Sequence, residues 1–356
     1  MAQPTEVVVF TAGEDDYHTY RIPSLFVTPG GGVLAICEGR KHSRSDTGAI
    51  DLVLKRSEDG GRTFGPLQAI AYDPPHTMGN PCPVADRDTS AIWMPLTRNL
   101  GHDAESAIID GTSEGTREVW ICHSLDDGYT WSWPVQITQS TKKPNWTWYA
   151  TGPGVGVQLS DGRLVIPCDF VEARSKLHGS HVIYSDDHGE SWLLGGVVGS
   201  EVNECQVVER RDGSLLMNMR NHTGTEGPHS RAIATSHDGG MTWSGIEMDP
   251  ALPEPVCQAS LVRYATGDDA GTGPLLFSNP AGPRRERMTV RVSFDEGATW
   301  ERSALLWEGP AAYSCLATLP DGRVGCLYER GVKNPYETIA LAAFDLEWVT
   351  EGQDRR

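Results

Sequence analysis

Ser57–Phe64 (SEDGGRTF), Ser124–Trp131 (SLDDGYTW), Ser185–Trp192 (SDDHGESW), Ser236–Trp243 (SHDGGMTW) and Ser293–Trp300 (SFDEGATW) are five copies of one octet, Ser-x-Asp-x-Gly-x-Thr-Trp. Each reads as a β-hairpin turn. The aspartate can accept hydrogen bonds from backbone N–H groups in the turn. Two residues on, the glycine supplies a positive φ without a Cβ clash. The closing aromatic offers a flat face to pack beneath the hairpin.

Successive copies start 67, 61, 51 and 57 residues apart, a mean period of about 59. A period this long suits propeller blades better than helical solenoids. Divided into 356 residues it gives about six units, one without the octet. Between the copies lie β-like runs such as Leu164–Pro167, Ser214–Met219 and Arg323–Tyr328, each behind an Asp-Gly turn. No segment carries a long 3.6-residue apolar period. The spacing therefore predicts an all-β chain: a six-bladed β-propeller with four-stranded antiparallel blades, one domain over residues 1–356 with short terminal tails.

A net charge of −18 argues against nucleic acid and anionic membrane surfaces as partners. No stretch is long and apolar enough for a membrane span. The N-terminal residues lack the basic and apolar regions of a signal peptide. Eight scattered cysteines without a CxxC pair read as free buried thiols in a reducing, cytoplasmic setting; a secreted chain trimmed of its leader would read the same.

Several residues stand out chemically. Arg21, in Tyr20-Arg21-Ile22-Pro23, is flanked by apolar residues and needs an anionic partner if buried; alone it reads as half of a structural salt bridge. Glu38 and Arg40 end the run LAICEGR, and Asp46 sits in a loop rich in Ser, Thr and Gly, where an aspartate is usually a turn residue. Asn80-Pro81-Cys82-Pro83 reads as a rigid turn. Gly152–Gly156 (GPGVG) fits either close backbone packing or a ligand-facing rim, and is no dinucleotide fingerprint. Glu204 and Arg220 lie sixteen residues apart around an Asp-Gly turn, as do Tyr313 and Glu329; such hairpins bring their ends side by side. Arg284, Arg285 and Arg287 form a basic cluster, either a solvated loop or an anion site. Gathered at one end of a propeller, Arg21, Arg220 and one arginine of 284–287 would suit a carboxylate or phosphate, with a tyrosine, a glutamate and an aspartate nearby.

On these residues the chain resembles the exo-α-sialidases (neuraminidases), whose propellers carry the same aspartate-box, or BNR, repeat. The matching stretches are Tyr20-Arg21-Ile22-Pro23, Asp46, Asn80–Pro83, Gly152–Gly154, Glu204-Cys205-Gln206-Val207, Arg220, Ala312-Tyr313-Ser314 and Leu327-Tyr328-Glu329, spanning roughly residues 18–345. The resemblance implies that Arg21, Arg220 and Arg285 grip a sialic acid carboxylate. Arg285 is chosen because Arg285-Glu-Arg-Met288-Thr289 fits the family pattern. It further implies Tyr313 as nucleophile, Glu204 as its base, Asp46 as general acid/base and Glu329 as the carboxylate holding Arg21. Arg40 and Asn80 would touch substrate. The expected activity is retaining hydrolysis of terminal α-linked sialic acids from glycoproteins, glycolipids or oligosaccharides, with no metal or organic cofactor required. A non-catalytic sialoglycan-binding propeller would have lost Tyr313, Glu204 or Asp46, and all three are present. A transglycosylating or keto-deoxy-sugar-preferring relative would keep the same residues.

Overall fold

In the computed structural model, residues 2–222, 229–266 and 271–351 are described; the expected C-terminal tail lies outside them. The chain is all-β, with hydrogen-bonded sheets of seven, nine, five and four strands. Within these sheets a four-stranded antiparallel meander recurs. The first comprises Thr19–Val27, Val33–Arg40, Ile50–Ser57 and Gln68–Ala71. The fourth comprises Val202–Glu209, Leu215–Asn221, Ser230–Ser236 and Glu247–Pro253. In the second and third sets the inner strand is split, into Thr77–Gly79 and Val84–Ala85 and into Trp146–Thr151 and Val157–Gln158. The 17-residue strand Arg302–Thr318 is shared: its first half pairs with Glu286–Ser293 and its second half with Val324–Arg330.

The last set is closed by the other end of the chain, because Thr5–Thr11 pairs antiparallel with Thr338–Phe344. The octets end the third strand of the first five sets. Where a sixth would stand, the helix Leu346–Glu351 follows instead, burying Val349 and laying Trp348 against Phe344 at 4.9 Å.

The octets behave as their chemistry predicts. In all five the serine hydroxyl donates to the aspartate Oδ1 at 2.7–2.8 Å. The Thr or Ser hydroxyl four residues beyond the aspartate donates to Oδ2 at 2.5–2.6 Å. The glycine N–H bonds back to the serine, at φ between 84° and 94°. Hydrogen bonds from Thr63 hold the Asp59 carboxyl far below the usual carboxylate range. At Asp238 burial pushes upward, but the bonds from Thr242 prevail and hold it at about 2.

Between neighbouring sets lie six apolar cores, and the pattern of strand burial follows from them. Leu164, Ile166, Cys168 and Phe170 pack toward the second set while Val165 packs toward the fourth. Leu34 and Ile36 face the second set, and Val33, Ala35 and Cys37 face the last. Successive side chains point to opposite faces, and both faces are covered, so these strands are continuously apolar rather than alternating. All eight cysteines are free and buried within this arrangement. Phe10 and Val9 complete the core between the last and first sets, with the Phe10 and Tyr20 rings 5.0 Å apart.

Deleting residues 2–11 should therefore lower the unfolding free energy by about 3–6 kcal/mol from these two side chains alone, at about 1.5–3 each. That is a large share of a typical 5–15 kcal/mol. Urea unfolding followed by tryptophan fluorescence would measure it. An unchanged midpoint would mean that the N-terminal strand does not close the fold.

Candidate active site

A hairpin places the start of its first strand and the end of its second on the same edge. Arg21, Glu204 and Tyr313 lie at or near the starts of inner strand segments; Arg40 ends the strand paired with the first, and Arg220 and Glu329 stand one residue before the ends of theirs. The resulting edge holds a cavity of about 310 Å³, lined by Arg21, Arg40, Asp46, Asn80, Glu204, Arg220, Arg285 and Tyr313 among others. A larger cavity, about 540 Å³, opens at the far ends of the same strands, around Val207–Arg211 and Leu261–Arg263. Its arginines are spent on carbonyl groups and on Glu296, as for Arg263 and Arg87, and its hydroxyl beside a carboxylate, Ser160 donating to Glu209 at 2.6 Å, is an exposed surface pair. The chemistry belongs to the smaller one.

Three inner strands break register where a site residue sits: between Arg21 and Ser24, between Val202 and Cys205, and between Ala311 and Ser314. Bulges of this kind re-aim side chains and are common beside active sites. At the first, Ile22 takes φ +61°, a conformation β-branched residues rarely adopt. Its N–H is held by Glu329 Oε1 at 2.9 Å. The same oxygen accepts Arg21 Nε at 2.7 Å, and Oε2 accepts the backbone N–H of Tyr313 at 3.1 Å. Glu329 is fully buried and does not line the cavity: it holds Arg21 from behind.

Three guanidinium groups surround the Tyr313 ring. Those of Arg21 and Arg285 stand 5.1 and 5.6 Å from its centroid, and Arg220 Nη1 lies 3.4 Å from its hydroxyl. The Tyr313 hydroxyl donates a short hydrogen bond to Glu204 Oε1, while Arg220 Nη1 donates to Glu204 Oε2 at 2.6 Å. Burial and the Glu204 charge push the phenol well above its ordinary range, against the pull of Arg220 and Arg285. Arg21 is further fixed over the Tyr336 ring at 4.3 Å, and Tyr336 Oη accepts from Arg285 Nη1 at 3.0 Å.

The basic cluster separates cleanly. Arg285 reaches the cavity; Arg284 is exposed and bonded to Glu286; Arg287 pairs outward with Glu308. Strand parity alone would have placed Arg287 beside Arg285. A register break at φ +63° on Arg287 removes it from that face.

Asp46 stands half exposed on its loop and accepts from Arg40 Nη2 at 2.7 Å. Burial raises its carboxyl, but Arg40 and then Arg21 outweigh it and hold the group below the usual range. Arg40 also donates Nε and Nη2 to Glu38 Oε2, and Glu38 Oε1 accepts the Asn80 N–H at 3.0 Å. The glycine-rich stretch is a packing device. Gly154 O and Pro153 O accept side-chain bonds from Ser24, Gln206 and Gln258, three residues of three different sets.

Sequence reasoning missed a second group of lining residues: Glu105, Arg117, Trp148, Asp169, His178, Asn203 and His222. Asp169 carried a signal, a carboxyl inside the apolar run Leu164–Glu172. Glu105 and Arg117 carried none, since their surroundings read as a solvated loop.

A family described as "BNR repeat-like domain" matches residues 32–326. The chain is 34% identical over 340 residues to a sialidase of Bacteroides fragilis, covering 90% of this chain and 62% of that protein, less than two thirds of its length. It is 30% identical to an exo-alpha-sialidase of Aspergillus fumigatus, covering 94% and 86%. Among solved structures, a Hadza microbial sialidase superposes with a TM-score of 0.87 at 32% identity, covering 97% of this chain and 69% of the other. The chain belongs to the sialidase family built on the BNR repeat.

Glu329→Ala leaves Arg21 buried without its carboxylate, and breaking a buried pair in this way costs about 3–5 kcal/mol. Denaturant melts of the variant should show that loss, whereas Arg284→Ala should stay within about 0.5 kcal/mol of the parent. A Glu329→Ala loss below about 1 kcal/mol would show that Glu329 does not hold Arg21 and the two inner strands together.

Proposed function

We propose that this protein is a retaining exo-α-sialidase, releasing terminal α-linked sialic acid from glycoproteins, glycolipids or oligosaccharides through a tyrosyl intermediate. The observation that carries the reading is the Tyr313–Glu204 hydrogen bond beneath the guanidinium groups of Arg21, Arg220 and Arg285. Sialidases are the established glycosidase exception with a tyrosine nucleophile, so the assignment follows a known pattern. Its physical logic can be read from this site.

The sialic acid carboxylate sits on the anomeric carbon, so a carboxylate nucleophile would approach against a like charge. A neutral phenol avoids that repulsion but needs a base. Because Tyr313 is held well above its ordinary range, its proton passes to Glu204 as the new bond forms. The phenolic oxygen bonds to the anomeric carbon, the glycosidic bond breaks, and Asp46 protonates the leaving oxygen. In the second half Asp46 takes a proton from water, the water oxygen displaces the phenol from the anomeric carbon, and Glu204 returns the proton to Tyr313. Throughout, the three arginines hold the substrate carboxylate with fork-shaped donors, and Glu329 holds Arg21. Asp46 must part from Arg40 before it can carry a proton, and its place on an exposed loop permits that.

We also infer the six-bladed propeller as the architecture, as one domain. Six inter-set cores in chain order, the last closing onto the first, support it.

Tyr313→Phe and Glu204→Gln should each lower kcat by roughly 10²–10⁴-fold. Because the two act as a unit, the double variant should lose far less than the product of the single losses. Assay of a fluorogenic sialic acid α-glycoside decides this, and simple multiplicativity would count against the pairing.

Two displacements retain configuration, so the first sugar released should be the α-anomer, mutarotating to β only later. Proton NMR of the C3 protons in early turnover reports it directly. Early β product would exclude the tyrosyl intermediate.

A further inference from the structure

Outside the cavity, where the outermost strands of the first and second sets meet, two aromatic rings stand exposed. Tyr72 directly follows the strand Gln68–Ala71, and Trp133 stands two residues before the strand Val135–Gln136. They are 45% and 63% exposed, with ring centroids 5.6 Å apart and planes at 87°. Among the described residues this is the ring pair in which both members are exposed. Apolar residues scattered singly over a surface are ordinary, but here two amphipathic rings meet and neither is covered. Exposed Tyr129, also in the second set, shows the contrast. Its ring lies under the Arg56 guanidinium at 4.0 Å, and its hydroxyl donates to Glu58 at 2.8 Å. The Tyr72 hydroxyl and the Trp133 indole N–H have no hydrogen-bond partner among the described residues.

The surroundings narrow the ligand. Asp73, next to Tyr72, accepts from Arg98 Nε at 2.7 Å, and Arg98 Nη1 also donates to Glu118 at 3.1 Å. Two carboxylates match that one cation, so nothing here draws an anion. Ring faces with unused polar tips and a nearby carboxylate suit a neutral pyranose. Its C–H face packs on an aromatic face, and its hydroxyls both give and accept hydrogen bonds. Size argues the same way. The two partly exposed rings together offer about the area of one aromatic side chain, roughly 150–250 Å². A protein partner needs about 800 Å².

The backbone sets this corner near the cavity. Ala71 pairs with Leu52, two residues from Ile50, and Ile50 pairs with Arg40 of the cavity wall. Two strand spacings therefore separate the strand before Tyr72 from that of Arg40, on the order of 10 Å. We propose that Tyr72 and Trp133 form a non-catalytic site for neutral sugar rings of the glycan whose terminal residue enters the cavity. The choice of ligand rests on the sialidase reading. Holding the glycan at a second point raises the effective concentration of its terminal sugar at the cavity. It lowers KM for chains that span both points and leaves the chemical step alone.

Two measurements test the site, one of them independent of activity. The parent enzyme should bind an immobilised glycoprotein stripped of its sialic acid, and N-acetyllactosamine should compete. Trp133→Ala should weaken that binding by roughly three- to tenfold, the range of one aromatic contact. On a sialylated glycoprotein, Tyr72→Ala and Trp133→Ala should raise KM by a similar factor at unchanged kcat. On a small fluorogenic sialic acid α-glycoside, kcat/KM should move less than about twofold. Trp133→Phe keeps a ring and should retain part of the binding. Equal losses on the glycoprotein and the small glycoside would show a structural role and overturn the site. Absence of binding to the stripped glycoprotein would overturn it too. So would a parent dimer that Trp133→Ala dissociates in sedimentation, since the patch would then join two copies of this chain. Failure of the parent enzyme on both sialylated substrates would overturn the sialidase reading instead, while binding to the stripped glycoprotein still decides the site.

Discussion

The buried carboxylate of Glu329 is where the fold and the site depend on one another. It bonds the Arg21 side chain, the strained Ile22 N–H and the Tyr313 N–H, so one group joins the first inner strand to the last. Burial alone would push the Arg21 guanidinium down, but Glu329 outweighs it and keeps the cation fully charged. An Arg–carboxylate pair is a poor source of net stability because desolvation offsets the Coulomb gain. Its value here is geometric. The positive φ at Ile22 aims Arg21 into the cavity, and such a conformation persists only where its surroundings over-determine it. The chain's own ends meet beside this point, since Thr5–Thr11 completes the sheet that carries Glu329.

The repeating part of the structure was legible because it is local. Five octets needed only eight residues each to specify a serine–aspartate–threonine hydrogen-bond set, and their period set the number of units. The sixth unit was visible only as a gap. Its turn is replaced by the helix Leu346–Glu351, and its fourth strand comes from the far end of the chain, a pairing that no spacing within one unit reveals. The site was legible to the extent that hairpins are: Glu204 with Arg220 and Tyr313 with Glu329 are brought together by strand pairing around an Asp-Gly turn. Arg285 shows the limit. Strand parity could not separate it from Arg287, because a register break at Arg287 decides the matter. Arg117 and Glu105 lie still further from reach. They meet the cavity only because strands and loops of different sets converge there, and the local sequence around them describes strand or loop equally well without a ligand.

Charge explains how an acidic chain can hold an anion. The protein carries −18 overall, yet the cavity gathers the guanidinium groups of Arg21, Arg40, Arg117, Arg220 and Arg285. Most are matched by carboxylates set behind or beside them, so the local balance is close. A buried positive cluster without those partners would be costly to form. With them, the guanidinium groups that line the cavity are already fixed, as the proposed grip on a substrate carboxylate requires. Recognition of the proposed substrate would then rely on short-range, partly desolvated hydrogen bonds rather than on the long-range field, which salt screens beyond about 8–10 Å. That is a reasonable design for a protein whose overall field repels its proposed substrate.

The same balance bears on proton transfer in the proposed reaction. Arg40 joins Glu38 and Asp46, and its attraction keeps Asp46 ionised in the resting site. An ionised carboxylate suits the second half of the reaction, which needs a base, and opposes the first, which needs an acid. Tyr313 shows the complementary arrangement: its burial keeps the proton on the phenol until Glu204 accepts it. The two proposed proton carriers are thus set in opposite resting states. Loading Asp46 requires weakening its contact with Arg40, and only the loop that carries Asp46 is exposed enough to move; Arg40 is 2% exposed and fixed by Glu38. In the proposed reaction, proton supply to the leaving group would therefore be coupled to displacement of that loop, whereas Tyr313 and Glu204, on bulged strands and held by Glu329 and Arg220, are fixed.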